Sequence, residues 1–193
     1  MPERLDEAGL KQLFLEARTH RAWQPREIPD QVLVDIADLM KLGPTASNSL
    51  PARLVFVKSK AAKERLKPHL SSGNVDKTMA APATAILAYD LKFYEHPPKG
   101  QEPLRGFAEK PEQAQIAALR NGSLQGAYFI LAARALGLDC GPMSGFDNAG
   151  VDTEFFAGTS IKSNFLCNLG YGEPSGLRPR GPRFAFGEIA QIV

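Results

Sequence analysis

Gly141-Pro142-Met143-Ser144-Gly145-Phe146 closes a run that reads Ala132-Ala133-Arg134-Ala135-Leu136-Gly137-Leu138-Asp139-Cys140. Helix-forming residues stop at Gly137, a short apolar piece follows, and the chain turns through Gly and Pro. That turn offers two successive backbone N–H groups, at Ser144 and Gly145, to whatever lies against it. Such donors suit redox chemistry on a flat heteroaromatic ring, because a fixed N–H can bond a ring nitrogen without adding charge. The same six residues also suit a plain helix-to-strand turn, which needs Gly and Pro for its own geometry.

Working outward, Pro111 to Leu136 carries the strongest helical pattern of the chain. Ile116, Leu119, Ser123, Leu124, Ala127, Ile130 and Leu131 recur at helical spacing. Gly122, Gly126 and the alanines around them predict a central helix against which another backbone can lie closely. Arg53 to Val57, Ala83 to Tyr89 and Phe165 to Leu169 read as strands. Helices are expected from Leu5 to about His20, from Ile28-Pro29-Asp30 to Gly43-Pro44, and from Ala61 to His69, where Pro68 should end the last. Residues 91–111 hold four prolines and two glycines and read as a lid-like excursion.

Composition narrows the function classes. A chain of 193 residues is long enough for one domain, 1–193, with its own apolar core. A formal charge of only +2, with the cations spread along the chain, argues against a large nucleic-acid surface but not against one local anion site. No apolar run is long enough to span a membrane, and the charged start Met1-Pro2-Glu3-Arg4 lacks the apolar centre of a signal peptide. Cys140 and Cys167 lie in apolar, strand-like contexts and read as two free buried thiols, which fits a cytoplasmic protein.

Three other segments could carry chemistry. Arg18-Thr19-His20-Arg21 could grip a phosphate, or could complement the dipole at the end of the first helix. Gly43-Pro44-Thr45-Ala46-Ser47-Asn48-Ser49 is a small polar loop. Its Asn48 amide could read the edge of a uracil-like ring, or the loop could be a turn and nothing more. Arg180 and Arg183 could complete an anion site. Other patterns fail on inspection. Gly170-Tyr171-Gly172-Glu173-Pro174-Ser175-Gly176 has its third glycine one residue late for a dinucleotide fingerprint and no following helical pattern. Gly141 to Gly145 is not a nucleophile elbow, and His20, His69 and His96 share no metal-ligand spacing.

Taken in order, these segments resemble the FMN-dependent nitroreductase family over nearly the whole chain. That family has a basic Ser/Thr element after its first helix, a Pro-Ser/Thr-x-x-Asn loop, a small-residue central helix, a Gly-x-Pro-x-x-Gly-Phe-type loop and a basic C-terminal tail. The counterparts here are Arg18 to Arg21, Pro44 to Asn48, the helix ending at Gly137, Gly141 to Phe146, and Arg180 to Arg183. Within the family the chain is most similar to the malonic semialdehyde reductase branch of pyrimidine degradation. The shared stretches are the Arg-Thr-His element, Met40-Lys41-Leu42-Gly43-Pro44-Thr45, Leu70-Ser71-Ser72-Gly73-Asn74 and Gly141 to Asp147. The chain departs in two places. Ala17 stands where many members are basic, and Leu50-Pro51-Ala52 stands where many read Gln-Pro-Trp.

The resemblance implies an α+β nitroreductase-like fold: a central mixed β-sheet flanked by helices, in an intertwined homodimer with FMN at its interface. It implies NADH or NADPH as reductant and a small-molecule acceptor. The FMN phosphate would be held by Arg18, Thr19, Arg183 and Arg180, with His20 and Arg21 nearby. The Ser144 N–H would meet flavin N5, with Gly145, Pro142 and Met143 in the same loop. Asn48 would bond the pyrimidine edge from a loop shared with Pro44, Thr45 and Ser47. No side chain is needed as a catalytic nucleophile. The implied reaction is reduction of malonic semialdehyde to 3-hydroxypropionate, with Arg53 and Arg105 as candidates for the substrate carboxylate. A broad nitroarene or quinone reductase and a non-redox flavin-binding protein are the alternatives.

Overall fold

A computed structural model of the chain describes residues 3–193. Four strands form one sheet: β1 (Ala52–Val57), β2 (Ala83–Asp90), β3 (Asp139–Met143) and β4 (Ile161–Gly170), in the order β1-β2-β4-β3. Every strand pairing is antiparallel, so the mixed sheet expected from the sequence is corrected. Two helices, α3 (Lys60–Leu66) and α4 (Ser72–Ala80), separate β1 from β2. One crossover helix returns a chain for a parallel strand. A second carries it back again, and the sequence reading had only the first. α3 itself stops where expected, since Pro68 falls in a single 3-10 turn after it.

The strands divide two cores by simple alternation. Ala83, Ala85 and Leu87 of β2 face one side, where they meet Ile36 of α2 (Asp30–Met40) and Phe129 and Ala133 of α5 (Pro111–Ala135). Ile86 and Ala88 face the other, against Leu66, Val151 and Phe156, the last two on α6 (Asn148–Phe156). Both faces of β2 are covered, which explains its unbroken apolar run.

α5 lies over the sheet through its small residues. A Cβ on Gly122 would stand 2.9 Å from Tyr89 Cβ, and one on Gly126 would stand 2.6 Å from the Phe165 ring. The close approach inferred from Gly122 and Gly126 is therefore to the chain's own sheet and not to another copy. The helix ends as its sequence implies. Gly137 takes a left-handed φ of 80°, the Leu138 N–H donates to Ala133 (2.9 Å) and the Gly137 N–H to Arg134 (2.9 Å), a Schellman closure.

The N-terminal segment is shorter in helix than expected. α1 (Glu7–Leu10) passes into a π-helical turn over Lys11–Leu15, and residues 17–21 that follow are not helical. The basic element Arg18-Thr19-His20-Arg21 is therefore not a helix terminus. It runs along the outer edge of β3, where Thr19 makes a parallel bridge to Cys140 and the His20 N–H donates to the Cys140 carbonyl at 3.1 Å. A short α7 (Phe186–Ile189) ends the exposed tail. Cys140 and Cys167 are free and fully buried, as expected. Among the described residues no helix is long and apolar enough to cross a membrane.

Candidate functional site

The outer edge of β3 brings two of the predicted groups together. At one end Arg18, Thr19 and Arg21 line a cleft of about 440 Å³ with Arg134, Arg178, Arg180 and Arg183, and no acidic residue lines it. At the other end stand Ser144 and Gly145. About four residues of extended chain separate Cys140 from Ser144, roughly 13 Å. Pro142 falls at a position facing away from β4, so its missing N–H costs the ladder nothing. Among the described residues the Ser144 and Gly145 N–H groups meet no acceptor. Both carbonyls beside them are engaged: Ser144 accepts from Phe146 (3.1 Å), and Gly145 accepts from Ser71 (3.1 Å) and from Asn74 Nδ2 (2.6 Å). The turn is thus fixed with its two donors turned outward.

The arginines of the cleft are oriented by backbone carbonyls. Arg18 donates to the Arg178 carbonyl, Arg180 to Leu15 (2.7 Å) and Ala17 (3.0 Å), and Arg134 to Leu13 (3.1 Å). Arg183 bonds only its own tail, at Gly181 and Pro182. A guanidinium carries five donors, so each keeps capacity for an anion. Such a cluster concentrates positive potential in one cleft. Its reach shows in Lys77 of α4, whose pKa is pushed below its ordinary value first by burial and then by the charges of Arg21 and Arg178.

His20 does not point into the cleft. Its ring is buried, lies 3.3 Å from Asp139 Oδ1 through Nε2, and packs flat on Gly172, while its Nδ1 has no partner. Trp23 lies beside it at 6.2 Å and donates its indole N–H to the Lys77 carbonyl at 3.1 Å. Gly141, Gly170 and Gly172 make the floor under these two rings, since a Cβ on any of them would collide with this segment. The side chain expected near the phosphate is instead the anchor that holds the Arg18–Arg21 strip on the sheet edge.

The Asn48 loop lies elsewhere. It enters β1, at the opposite edge of the sheet from β3. Thr19 lies one strand beyond β3, so Asn48 and Thr19 are about four strand spacings apart, roughly 19 Å across the sheet alone. Within one chain they lie toward opposite edges of the sheet. The loop is strained: Ser47, Asn48 and Leu50 have φ of 54°, 49° and 41°. Left-handed backbone at non-glycine residues costs about 1–2 kcal/mol each and collects at functional sites. The strain is held by α5. Asn121 Oδ1 accepts from the Ala46 N–H (2.8 Å), Gln125 Oε1 from the Ala52 N–H (2.9 Å), and the Tyr128 hydroxyl donates to Pro44 (3.0 Å). Thr45 Oγ1 accepts from the Leu50 N–H at 3.2 Å. The excursion also reaches this loop, where Asn48 Nδ2 donates to Gln101 Oε1 at 2.7 Å.

The family model of the Nitroreductase family matches residues 15–171. The chain belongs to the Nitroreductase family. A Burkholderia lata protein, provisionally named NADH dehydrogenase/NAD(P)H nitroreductase, is 58% identical over 191 residues, covering 97% of this chain and 98% of that one. A Stenotrophomonas maltophilia protein of the same provisional name is 58% identical over the full length of both. Among solved structures, a Bacillus subtilis nitroreductase superposes with a TM-score of 0.85 at 22% identity, covering 97% of this chain and all of that one. An Exiguobacterium sibiricum nitroreductase, solved in complex with FMN, gives 0.84 at 19% identity over 100% and 99%. At these identities the structures establish the shared fold.

Several residues of this nitroreductase site escaped the sequence reading. Asn121 and Gln125 sit one turn apart within an apolar helical stripe, and their burial at a loop's backbone was the missing information. Asn74 and Lys77 lie on α4, a helix whose Ser-Ser-Gly-Asn start reads as a turn. Arg53 was a candidate for substrate, but its guanidinium is held by the buried Asp90 at 3.0 Å and by the Leu50 and Ala52 carbonyls. Arg105 stands exposed in a turn of the excursion.

Proposed function

We propose that this nitroreductase is an FMN-dependent NAD(P)H oxidoreductase whose preferred acceptor is malonic semialdehyde. The observation that carries the reading is the outer edge of β3, with a cleft whose charged lining is all arginine at one end and, at the other, two backbone donors unpaired among the described residues. These residues fit FMN: a phosphate needs the arginines, and a ring nitrogen needs a neutral N–H. Bound FMN supplies a two-electron carrier between NADH or NADPH and the acceptor. Arg18, Thr19, Arg21, Arg180 and Arg183 hold the phosphate. The Ser144 N–H, with Gly145 beside it, orients the ring at N5. Lys77, close enough to feel the Arg21 and Arg178 charges, would favour negative charge on a ring bound beside α4. Asn48 bonds the pyrimidine edge. One site serves donor and acceptor in turn, so the kinetics are ping-pong.

We infer that Asn48 reaches the FMN site from a second copy, a reading supported by its place at the opposite edge of the sheet from β3 within one chain. The working form is therefore a homodimer that completes each FMN site across its interface. Two features support intertwining. The tail exposes Phe184, Phe186, Ile189 and Ile192, and α5 exposes Ile116, Leu119 and Leu124. Leu33, Val34, Ala37 and Phe56 line an apolar cleft of about 470 Å³ beside the edge strand β1, where a partner's tail can lie. The buried free thiols suit a cytoplasmic enzyme.

The semialdehyde is favoured by the likeness of Arg18 to His20, Met40 to Thr45 and Gly141 to Asp147 to that branch, and by Leu50 and Ala52 where bulkier polar and aromatic groups are common. With Arg53 committed to Asp90, Arg105 is the cation left for the substrate carboxylate. The names of the relatives favour a second reading, a broad nitroarene or quinone reductase. Purified protein should be yellow, carry about one FMN per chain and bleach with NADH or NADPH. Steady-state kcat/KM for semialdehyde, quinone and nitroarene then ranks the acceptors. A quinone or nitroarene preferred by more than about tenfold, about 1.4 kcal/mol in the transition state, replaces the first reading with the second.

A further inference from the structure

Among the described residues, the hydrogen bonds from the excursion to the strained loop all come from Gln101, and the chemistry of that contact is directional. Gln101 Nε2 faces the backbone carbonyls of Ser47 (3.3 Å) and Asn48 (3.4 Å). Carbonyl oxygens only accept, so this side of the Gln101 amide must be its NH₂. Its Oε1 is then turned to the Asn48 side chain, where it accepts from Nδ2 at 2.7 Å. That contact forces Asn48 in turn to place its NH₂ toward Gln101. Asn48 Oδ1 has no partner among the described residues, and Asn48 is exposed. Two backbone carbonyls thus set the polarity of one amide, which sets the polarity of the next. The loop that carries Asn48 is rigid on its other side, through Asn121, Gln125 and Tyr128.

We propose that Gln101 is a positioning residue that locks the flip of the Asn48 carboxamide, so that Asn48 presents Oδ1 as an acceptor to the N3–H of the flavin bound across the dimer interface. This rests on the reading that Asn48 bonds the pyrimidine edge. An unlocked primary amide can rotate to offer either its oxygen or its nitrogen, and so reads a donor poorly. A locked one distinguishes a ring that carries N3–H from a ring that does not. Lost polarity also leaves a buried donor unmet once the flavin is in place, which is where most of the discrimination arises.

The experiment compares FMN with 3-methyl-FMN on the apoprotein, by quenching of flavin fluorescence, for wild type, Gln101→Leu and Asn48→Ala. All three apoproteins should melt in one cooperative transition, Gln101→Leu with wild type and Asn48→Ala slightly lower, because alanine tolerates the left-handed φ of 49° less well than asparagine. Wild type should bind FMN more tightly than 3-methyl-FMN by about tenfold or more beyond the ratio shown by Asn48→Ala, which measures the bulk of the methyl group alone. Gln101→Leu should bring the ratio down to within about threefold of Asn48→Ala. A wild-type ratio retained by Gln101→Leu, but lost in Asn48→Ala, overturns the role of Gln101 and leaves Asn48 on the flavin. Identical affinities and ratios in wild type and Asn48→Ala overturn the placement of Asn48 and the inference with it.

Discussion

Gly172→Ala tests whether the phosphate strip is held from beneath. A Cβ on Gly172 would stand 1.9 Å from His20 Nδ1, 2.2 Å from Cε1 and 2.3 Å from Cγ. Non-bonded carbons rest at about 3.5–4.0 Å, so the whole ring must retreat by more than an ångström. It has little room to do so, with 7% of the residue exposed, Trp23 at its side and Asp139 against Nε2. The φ of Gly172 is not left-handed, so the effect is steric and not conformational. Overpacking of this kind costs roughly 1–3 kcal/mol. On a chain of this size about 2 kcal/mol lowers Tm by roughly 4–8 °C. The retreating ring carries the His20 backbone with it, breaks its bond to Cys140 and shifts Arg18, Thr19 and Arg21. Losing one charge-assisted phosphate bond weakens FMN by about tenfold or more. Scanning calorimetry of the apoprotein and a flavin fluorescence titration read the two effects. Gly73→Ala is the control of opposite sign: its Cβ meets nothing within 4 Å, and alanine in α4 should add roughly 0.5–1 kcal/mol. A Gly172→Ala protein with wild-type Tm and wild-type FMN affinity would refute the anchor.

Three further outcomes are expected. Arg18→Ala should weaken FMN by about tenfold or more, measured by equilibrium titration. Unchanged affinity in both Arg18→Ala and Arg183→Ala removes the phosphate assignment. Light scattering should give twice the chain mass at working concentrations, and Leu119→Glu with Leu124→Glu on the exposed face of α5 should yield a monomer that has lost FMN. A monomer replete with FMN contradicts the shared site. Lys63 is buried, donates to the Thr78 and Ala81 carbonyls at the end of α4, and has its pKa lowered by burial to about 8. Because the folded pKa lies below the unfolded one, the cost of its charge is fully present below pH 8 and is relieved as pH rises from 8 toward 10.5, by up to about 3 kcal/mol. Urea unfolding of the apoprotein should show wild type gaining stability relative to Lys63→Met between pH 7.5 and 9.5, and parallel profiles would count against it.

Much of this protein is local, and local features were legible in the residues. Gly137 ends α5 because only glycine enters the left-handed region there without strain, and Pro68 ends α3 because it lacks an N–H. β1, β2 and β4 declare themselves by apolar content, whereas β3 reads only as a short piece before a Gly-Pro turn, and the order of the motifs was enough for the family. Direction was not legible. Whether β1 and β2 run parallel depends on how many helices lie between them, and α4 begins with residues whose own preference is for turns. Facing was not legible either. Gly122 and Gly126 admit a close neighbour, but a glycine does not say which neighbour; the sheet beneath α5 took that space. His20 belongs to a basic run, yet Gly141, Gly170 and Gly172, more than a hundred residues later, make the floor that turns its ring inward. Asn48 and Arg18 look like parts of one site along the chain, and the strand order sets them at opposite edges of the sheet. Periodicity and backbone propensity act over a few residues and are written in the sequence. The side of a strand, the partner of a buried amide and the edge at which a loop emerges are set by packing between distant segments, and only the tertiary structure decides them.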